Sequence, residues 1–502
     1  MKPGHLQSIA LAIVLCWHPA IAFATGNVVS QSASRSSLWN TFTNPPDEAR
    51  PWTFWYWMHG AVSKAGIAAD LEAMKEIGLG GAYLMTIRGT EGTDYAGAVD
   101  QLTPAWWEMI RFAMHKADSL NLKLGMHISD GFALAGGSWI RPEESMQKLV
   151  WTDTIVEGGK KINMQLRRPE TLAGYYRDVA VYAVPVQGKT DATQGGKMPA
   201  GSLLFRDIAL ARPLISSDNP EDPAPFTLKG RAFRASDPCY IQFEYPESHL
   251  LQSLEIIPSG NNLQSQRLRL LVSNDGQLFR EHYQLEPPRQ GWQNTGFNYT
   301  YSIPPVEARY FRFRWTPEGT EPGSEELDAA KWRPRLSIGG IKLSSQARIA
   351  QWEGKSGLVW RKERSGNKTE NLNIPPVSSV LRIPVGATTA HGAAGRPQHS
   401  NPIADDNFTF TLPPGHWRVL RFGHTSTGHT NATGGAGRGL ECDKFSEQAV
   451  QKQFDNWFAA AFTSTDPELA RRVLTHMHID SWECGSQNWS QQFAQEFQRR
   501  RG

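Results

Sequence analysis

Two blocks in which short apolar runs alternate with amphipathic helical stretches flank a long region of period-two patterning, an order that few folds of 502 residues accommodate. In the first block, Trp52-Thr53-Phe54-Trp55-Tyr56-Trp57-Met58 is almost continuously apolar, as a strand covered on both faces requires. Ser63 stands at an N-cap position before a helix in which Ile67, Leu71, Met74 and Ile77 recur at helical spacing, ending at Gly78. A second strand, Gly81 to Met85, leads to a helix opened by Thr103-Pro104, with Trp107, Ile110, Met114, Ala117 and Leu120 on one face. Leu122 to Ile128 makes a third strand. Short loops between these units predict parallel pairing, in a doubly wound sheet or an eight-fold barrel. The first strand runs into Trp57-Met58-His59-Gly60 instead of a glycine-rich phosphate cradle, which favours a barrel whose strand ends carry side-chain chemistry.

From about Met146 the period becomes two, with Val150, Thr152, Thr154 and Val156 alternating. Runs at Ile241–Tyr245, Ser253–Ile257, Arg267–Ser273, Ala308–Trp315 and Leu336–Leu343, separated by Gly, Pro and Asn turns, predict a β-sandwich at about residues 215–350. Val272-Ser273-Asn274-Asp275-Gly276 ahead of the Tyr310-Phe311-Arg312-Phe313 strand resembles the galactose-binding-like jelly rolls. After Pro413-Pro414-Gly415, Trp417 to His424 reads as a fourth barrel strand. Phe445 to Phe462 follows as one helix with Val450, Phe454, Trp457, Phe458 and Ala461 on a face, and Leu474 to Asp480 as a further strand. The predicted class is α/β plus all-β. Residues 44–145 begin a (β/α)8 barrel of the TIM type, 146–412 are an inserted β-rich region, and 413–502 continue the barrel.

Residues 1–24 have the pattern of a secretory signal, with Lys2, an apolar run from Ile9 to Cys16, and Ala22-Phe23-Ala24 before the cut. A Ser-rich linker spans 25–43, and the mature chain is expected to be secreted or periplasmic. The run is too short to span a membrane, and no later segment is longer. A net charge of +3 with 20% charged residues provides no nucleic-acid footprint. Eighteen Trp are an excess that suits heavy cores or carbohydrate surfaces. Cys239, Cys442 and Cys484 remain after signal removal; they lack metal-site spacing and are read as buried thiols or, for the last two, a bridge.

The stretch from His478 to Trp489 brings two carboxylates, Asp480 and Glu483, and two indoles, Trp482 and Trp489, to one loop after a strand. A glycosidic bond breaks when a protonated carboxylic acid donates to the leaving oxygen while a second carboxylate works from the opposite face, and an indole holds the apolar side of a pyranose. Glu483 is therefore read as the acid, or as an exposed turn residue, with Asp480 and Trp482 as substrate contacts. Nearby indoles would raise its pKa by desolvation, as a general acid requires. His127 and Asp130, after the third strand, either bind sugar hydroxyls or are a satisfied histidine and a turn aspartate. His424 and His429, in a polar stretch at the end of the expected fourth strand, have a spacing that matches no zinc pattern, which leaves hydroxyl binding. Glu441 and Asp443 either contact substrate or cap the next helix. Trp55, Trp106, Trp107 and Trp139 read as core, and Trp57 as the stacking plate nearest a strand end.

Pro45-Pro46 with Arg50-Pro51, Trp55-Tyr56-Trp57-Met58, Asp70 to Lys75 leading to Gly78-Leu79-Gly80-Gly81, Gly136 to Ile140, Gly439-Leu440-Glu441-Cys442-Asp443-Lys444, and Asp480-Ser481-Trp482-Glu483 with Asn488-Trp489 stand in this order along the chain. Together these motifs resemble the glycoside hydrolase family 106 α-L-rhamnosidases. The resemblance covers about Asn44 to Gly502. It implies an inverting hydrolase on an interrupted (β/α)8 barrel, acting on terminal α-L-rhamnose in polysaccharides, with Glu483 as general acid and calcium at the sugar hydroxyls. It also implies a general base and calcium ligands on strands beyond residue 502, so that the chain would be a truncated barrel with little activity alone. A secreted carbohydrate-binding protein without chemistry, and a related hydrolase for another deoxy-sugar or a uronic acid, are the alternatives.

Overall fold

The computed structural model describes residues 38–88, 97–131, 135–186, 214–217, 233–259, 267–290, 297–318, 334–362, 374–384, 407–431, 437–480, 482 and 484–502. The signal sequence expected at 1–24 lies outside them, as do Ser481 and Glu483. The chain divides into a unit up to Pro51 and a unit from Trp52 to Gly502. In the first, a 3-10 turn at Asp47–Ala49 is braced by an Arg50–Asp47 ion pair of 2.7 Å.

The second unit opens with β1 (Trp52–Met58), α1 (Lys64–Glu76), β2 (Gly81–Ile87), α2 (Pro104–Ser119) and β3 (Lys123–His127). Both helix starts are capped as their sequences specify: Ser63 Oγ accepts from Gly66 N–H at 3.1 Å and Thr103 Oγ1 from Trp106 N–H at 3.3 Å. The pattern resumes with α3 (Glu447–Asn456), α4 (Ala460–Ser464), α5 (Pro467–Val473) and β4 (Leu474–His478). β4 pairs parallel with β3, His478 opposite His127, so the sheet runs β1-β2-β3-β4 and joins segments separated by more than three hundred residues. The helix expected from 445 to 462 is two helices. The chain leaves helical geometry at Trp457 (φ −120°, ψ −73°), whose indole is 1% exposed among Trp106 and Trp139, while Val450 stays exposed.

One face of this sheet is packed: Trp55 and Trp57 join Ile67, Leu71, Trp106 and Ile110 in a single core. The other face of β1 is open, with Phe54 48%, Tyr56 43% and Met58 42% exposed, so the expectation of a strand covered on both sides is corrected. A continuous apolar run sets no preference between faces, and here the helices lie on one side only. Among the described residues the parallel sheet has four strands and is not closed into a barrel.

The strand expected as the fourth of the barrel is placed differently. His416–Ser426 lies between Gln147–Glu157 and Tyr176–Pro185 in an antiparallel sheet, with Leu381–Ile383 at its edge. Its burial alternates with period two, the signature of a sheet with one wet face, whereas parallel strands are buried more evenly. That sheet therefore takes strands from both sides of the boundary predicted at 412. Between residues 214 and 344 a seven-stranded antiparallel array is built on two long strands, Cys239–Pro258 and Tyr299–Trp315. Register shifts after Glu244 and Leu251 bend the first of them, and residues from both of its halves share one core with Phe311, Phe313 and Trp315. Among the described residues no helix is long and apolar enough to cross a membrane. Cys239, Cys442 and Cys484 are buried thiols.

Candidate active site

Parallel strands deliver their following loops to one edge of the sheet, so Arg88 after β2, Ile128 to Asp130 after β3 and Ile479-Asp480 after β4 converge. His127 is 1% exposed, and its Nδ1 lies 3.0 Å from the carbonyl of His478 on the neighbouring strand. Asp130 is fully buried; its Oδ1 accepts from Arg88 N–H at 3.1 Å and Gln101 Nε2 at 2.8 Å. The Arg88 guanidinium donates in turn to Asp100 Oδ1 at 2.8 Å and the His59 carbonyl at 3.2 Å. His127 and Asp130 thus hold the loops together beneath the surface.

A second group forms where Leu440–Glu441 pairs antiparallel with Gly136–Gly137. Glu441 is fully buried, and its Oε2 accepts from Ala135 N–H at 3.1 Å and Lys444 Nζ at 2.5 Å. Asp443, 1% exposed, accepts from Phe445 N–H at 2.9 Å, Ser490 Oγ at 2.7 Å and Gln487 Nε2. The cap of α3 is Ser446, which accepts from Ala449 N–H, so Asp443 is not the cap; it ties its loop to the one after β4. Asn488 Oδ1 accepts from Leu149 N–H at 2.8 Å, and Gln147 pairs with Trp489, which fastens that loop to the antiparallel sheet as well.

His424 is buried between the rings of Tyr175 and Trp489, its Nδ1 3.1 Å from Gln147 Oε1. Burial, aided by the Arg177 charge, pushes its pKa down to about 4. The native state then holds the ring neutral while the unfolded chain, titrating near 6.5, takes up a proton, so stability is lost as pH falls from about 6.5 to about 4. His424→Gln should remove about 2–3 kcal/mol of that loss between pH 7 and 4.5, read as a smaller fall in melting temperature than the parent protein shows. An unchanged fall would exclude His424 as its source. His429 is exposed, and its carbonyl accepts from Glu441 N–H at 2.9 Å.

Trp482 is 40% exposed, with its Nε1 donating to the Gly485 carbonyl at 2.5 Å and Lys444 Nζ 5.3 Å over the ring. Asp480 is half-buried beside it. The expected stacking role of Trp57 is corrected: its side chain is 5% exposed, edge-on to Trp55 and packed towards the helices. Strand alternation turns Trp55 and Trp57 to one face and Phe54, Tyr56 and Met58 to the other. Sequence reasoning overlooked Lys444, Gln147 and Gln101. The Glu441-Cys442-Asp443-Lys444 motif carried a signal for the first; the two glutamines have none.

No three His, Cys, Asp or Glu side chains gather at metal-ligand range among the described residues. Asp130 Oδ1 and both oxygens of Asp443 accept from N–H and O–H donors, while the calcium ligands that the resemblance implies were expected beyond residue 502. Among the described residues, the loop after β4 presents to solvent the Trp482 indole and the half-buried Asp480 carboxylate, together with Ile479, and is braced from two sides.

A solved rhamnosidase from Novosphingobium sp. PP1Y superposes with a TM-score of 0.65 at 25% identity, over 92% of this chain and 41% of that one. A Formosa agariphila protein named "Putative beta-glucuronidase" is 40% identical over 155 residues, which are 31% of this chain and 13% of that protein. The chain therefore spans well under two thirds of either relative. The family model described as alpha-L-rhamnosidase matches residues 43–502, and with that match the chain belongs to glycoside hydrolase family 106.

Proposed function

We propose that the protein removes terminal α-L-rhamnose from polysaccharides or glycosides by hydrolysis with inversion, after export and signal cleavage near Ala24. In this reading β1 to β4 are part of a (β/α)8 barrel and the antiparallel regions are its insertion. Glu483 donates the proton to the leaving oxygen while a water attacks the anomeric carbon from the opposite face and gives its proton to a second carboxylate; Trp482 stacks on the sugar, and Asp480 contacts a hydroxyl. His127, Asp130, His424 and Asp443 act beneath the surface by holding the loops that present them, and His429 faces solvent at the rim. The observation that carries this is the position of Trp482 and Asp480: both follow a parallel strand at the edge where its neighbours also end, within the residues that the family model matches.

The name of the Formosa relative favours a second reading, a related hydrolase acting on a uronic acid. Incubating the protein with an aryl α-L-rhamnoside and an aryl β-D-glucuronide, and following the first anomer released by NMR, separates the two. Rhamnose appearing first as the β-anomer is the expected result. Turnover of the glucuronide alone would move the assignment to the second reading, and a protein that neither binds nor turns over either glycoside would end both.

A further inference from the structure

Lys444 has unusual surroundings for a lysine. Its side chain is only 9% exposed; Nζ donates to Glu441 Oε2 at 2.5 Å, lies 3.2 Å from Met146 Sδ, and stands 5.3 Å from the centroid of the Trp482 ring. An ammonium has three donors and no acceptor, so these three neighbours account for it. Glu441 is fully buried and pinned by Ala135 N–H, and the Lys444 N–H reaches Gln487 Oε1 at 3.3 Å on the loop that carries Trp482. Both ends of the lysine are therefore fixed to the site. What its charge acts on is an indole, whose electron-rich face attracts a cation.

Trp482 is held at a second point by the Nε1 hydrogen bond to Gly485, yet remains 40% exposed. A plate already fixed in orientation loses little rotamer freedom when a ring settles on it. We infer that Lys444, anchored by Glu441, is a positioning residue that locks Trp482 as the stacking plate for the C–H face of an uncharged pyranose. The ammonium is matched by Glu441, so the plate recognises a sugar by its apolar face and not by a carboxylate. The inference rests on the glycoside reading above and deepens it.

Two measurements test it. In protein labelled with 5-fluorotryptophan, the Trp482 resonance is identified by its loss in Trp482→Phe. Lys444→Met should shift and broaden that line, and Lys444→Arg should restore a narrow one. In titrations with methyl α-L-rhamnoside, Lys444→Met should raise Kd about five-fold or more, Lys444→Arg by no more than about two-fold, and Lys444→Met should add nothing in a Trp482→Ala background. If Lys444→Met fails to fold because Glu441 is left unpaired, Glu441→Gln/Lys444→Met removes both charges and should give the same two results. An unchanged fluorine line or additive losses of affinity overturn the inference. A parent protein that binds no rhamnoside removes the functional reading instead, and the fluorine line then decides the role of Lys444 by itself.

Discussion

Hydrolysis of methyl α-L-rhamnoside is expected to fall about 10²–10⁴-fold in Glu483→Gln, and hydrolysis of a nitrophenyl α-L-rhamnoside far less. An alkoxide is a poor leaving group and must be protonated as the bond breaks, whereas a nitrophenolate departs without help. A glutamine cannot donate that proton at any pH. The acid must also be protonated to act, so in the parent protein the rate should decline as pH rises through its pKa, and the variant should lose this alkaline limb. Equal losses on both substrates, with the limb intact, would mean that the side chain positions the sugar and a different group supplies the proton. The neighbours of residue 483 in sequence suit the role: Trp482 provides apolar surface, and half-buried Asp480 a polar contact near the end of β4.

Arg421→Met should lower stability by about 3–5 kcal/mol, the largest structural effect foreseen. Arg421 is 1% exposed in the antiparallel sheet; its Nε and NH2 donate to the two oxygens of Asp178 at 2.8 and 2.9 Å, and NH1 to the Leu166 carbonyl at 2.7 Å. Burial pushes the Asp178 carboxyl up, but hydrogen bonds from Arg421 and Tyr176 outweigh it and hold its pKa below the ordinary value. Stability from the pair is thus present above the unfolded carboxylate range and lost as pH falls through the folded value. Removing the guanidinium leaves the Asp178 carboxylate, 16% exposed, without its two N–H donors from Arg421 and with the Tyr176 hydroxyl donating at 2.7 Å. Arg421→Met/Asp178→Leu should recover most of the loss in thermal unfolding, because the cost lies in the unmatched charge and not in the missing attraction. A double variant as unstable as the single one would contradict this.

Legibility in the sequence followed the range of the interaction. Ser63 was readable as a cap, and Thr103-Pro104 as a helix start, because the groups that Ser63 and Thr103 satisfy lie three residues away. The strand–helix alternation was readable because each amphipathic helix covers its own strand. The residue types of the rim were readable too, since a carboxylate and an indole after a strand end are a local pattern. His416–Ser426 was recognisable as a strand, yet not as a partner of Gln147–Glu157, because pairing depends on which distant edge is available. Trp57 shows the same limit on a smaller scale: alternation separates it from Phe54 and Tyr56 but does not say which face the helices cover.

Sequence by itself determined the local elements, their caps, the long β-rich interruption and the motifs of the family. Only the tertiary structure decided that β4 docks on β3, that the loop after it is fastened through Asp443 and Asn488, and that Lys444 sits beneath Trp482. Contacts of the first kind form within a few residues, whose geometry the backbone constrains. Those of the second kind close loops of tens to hundreds of residues, and which of many chemically equivalent partners is met depends on the packing of the whole unit.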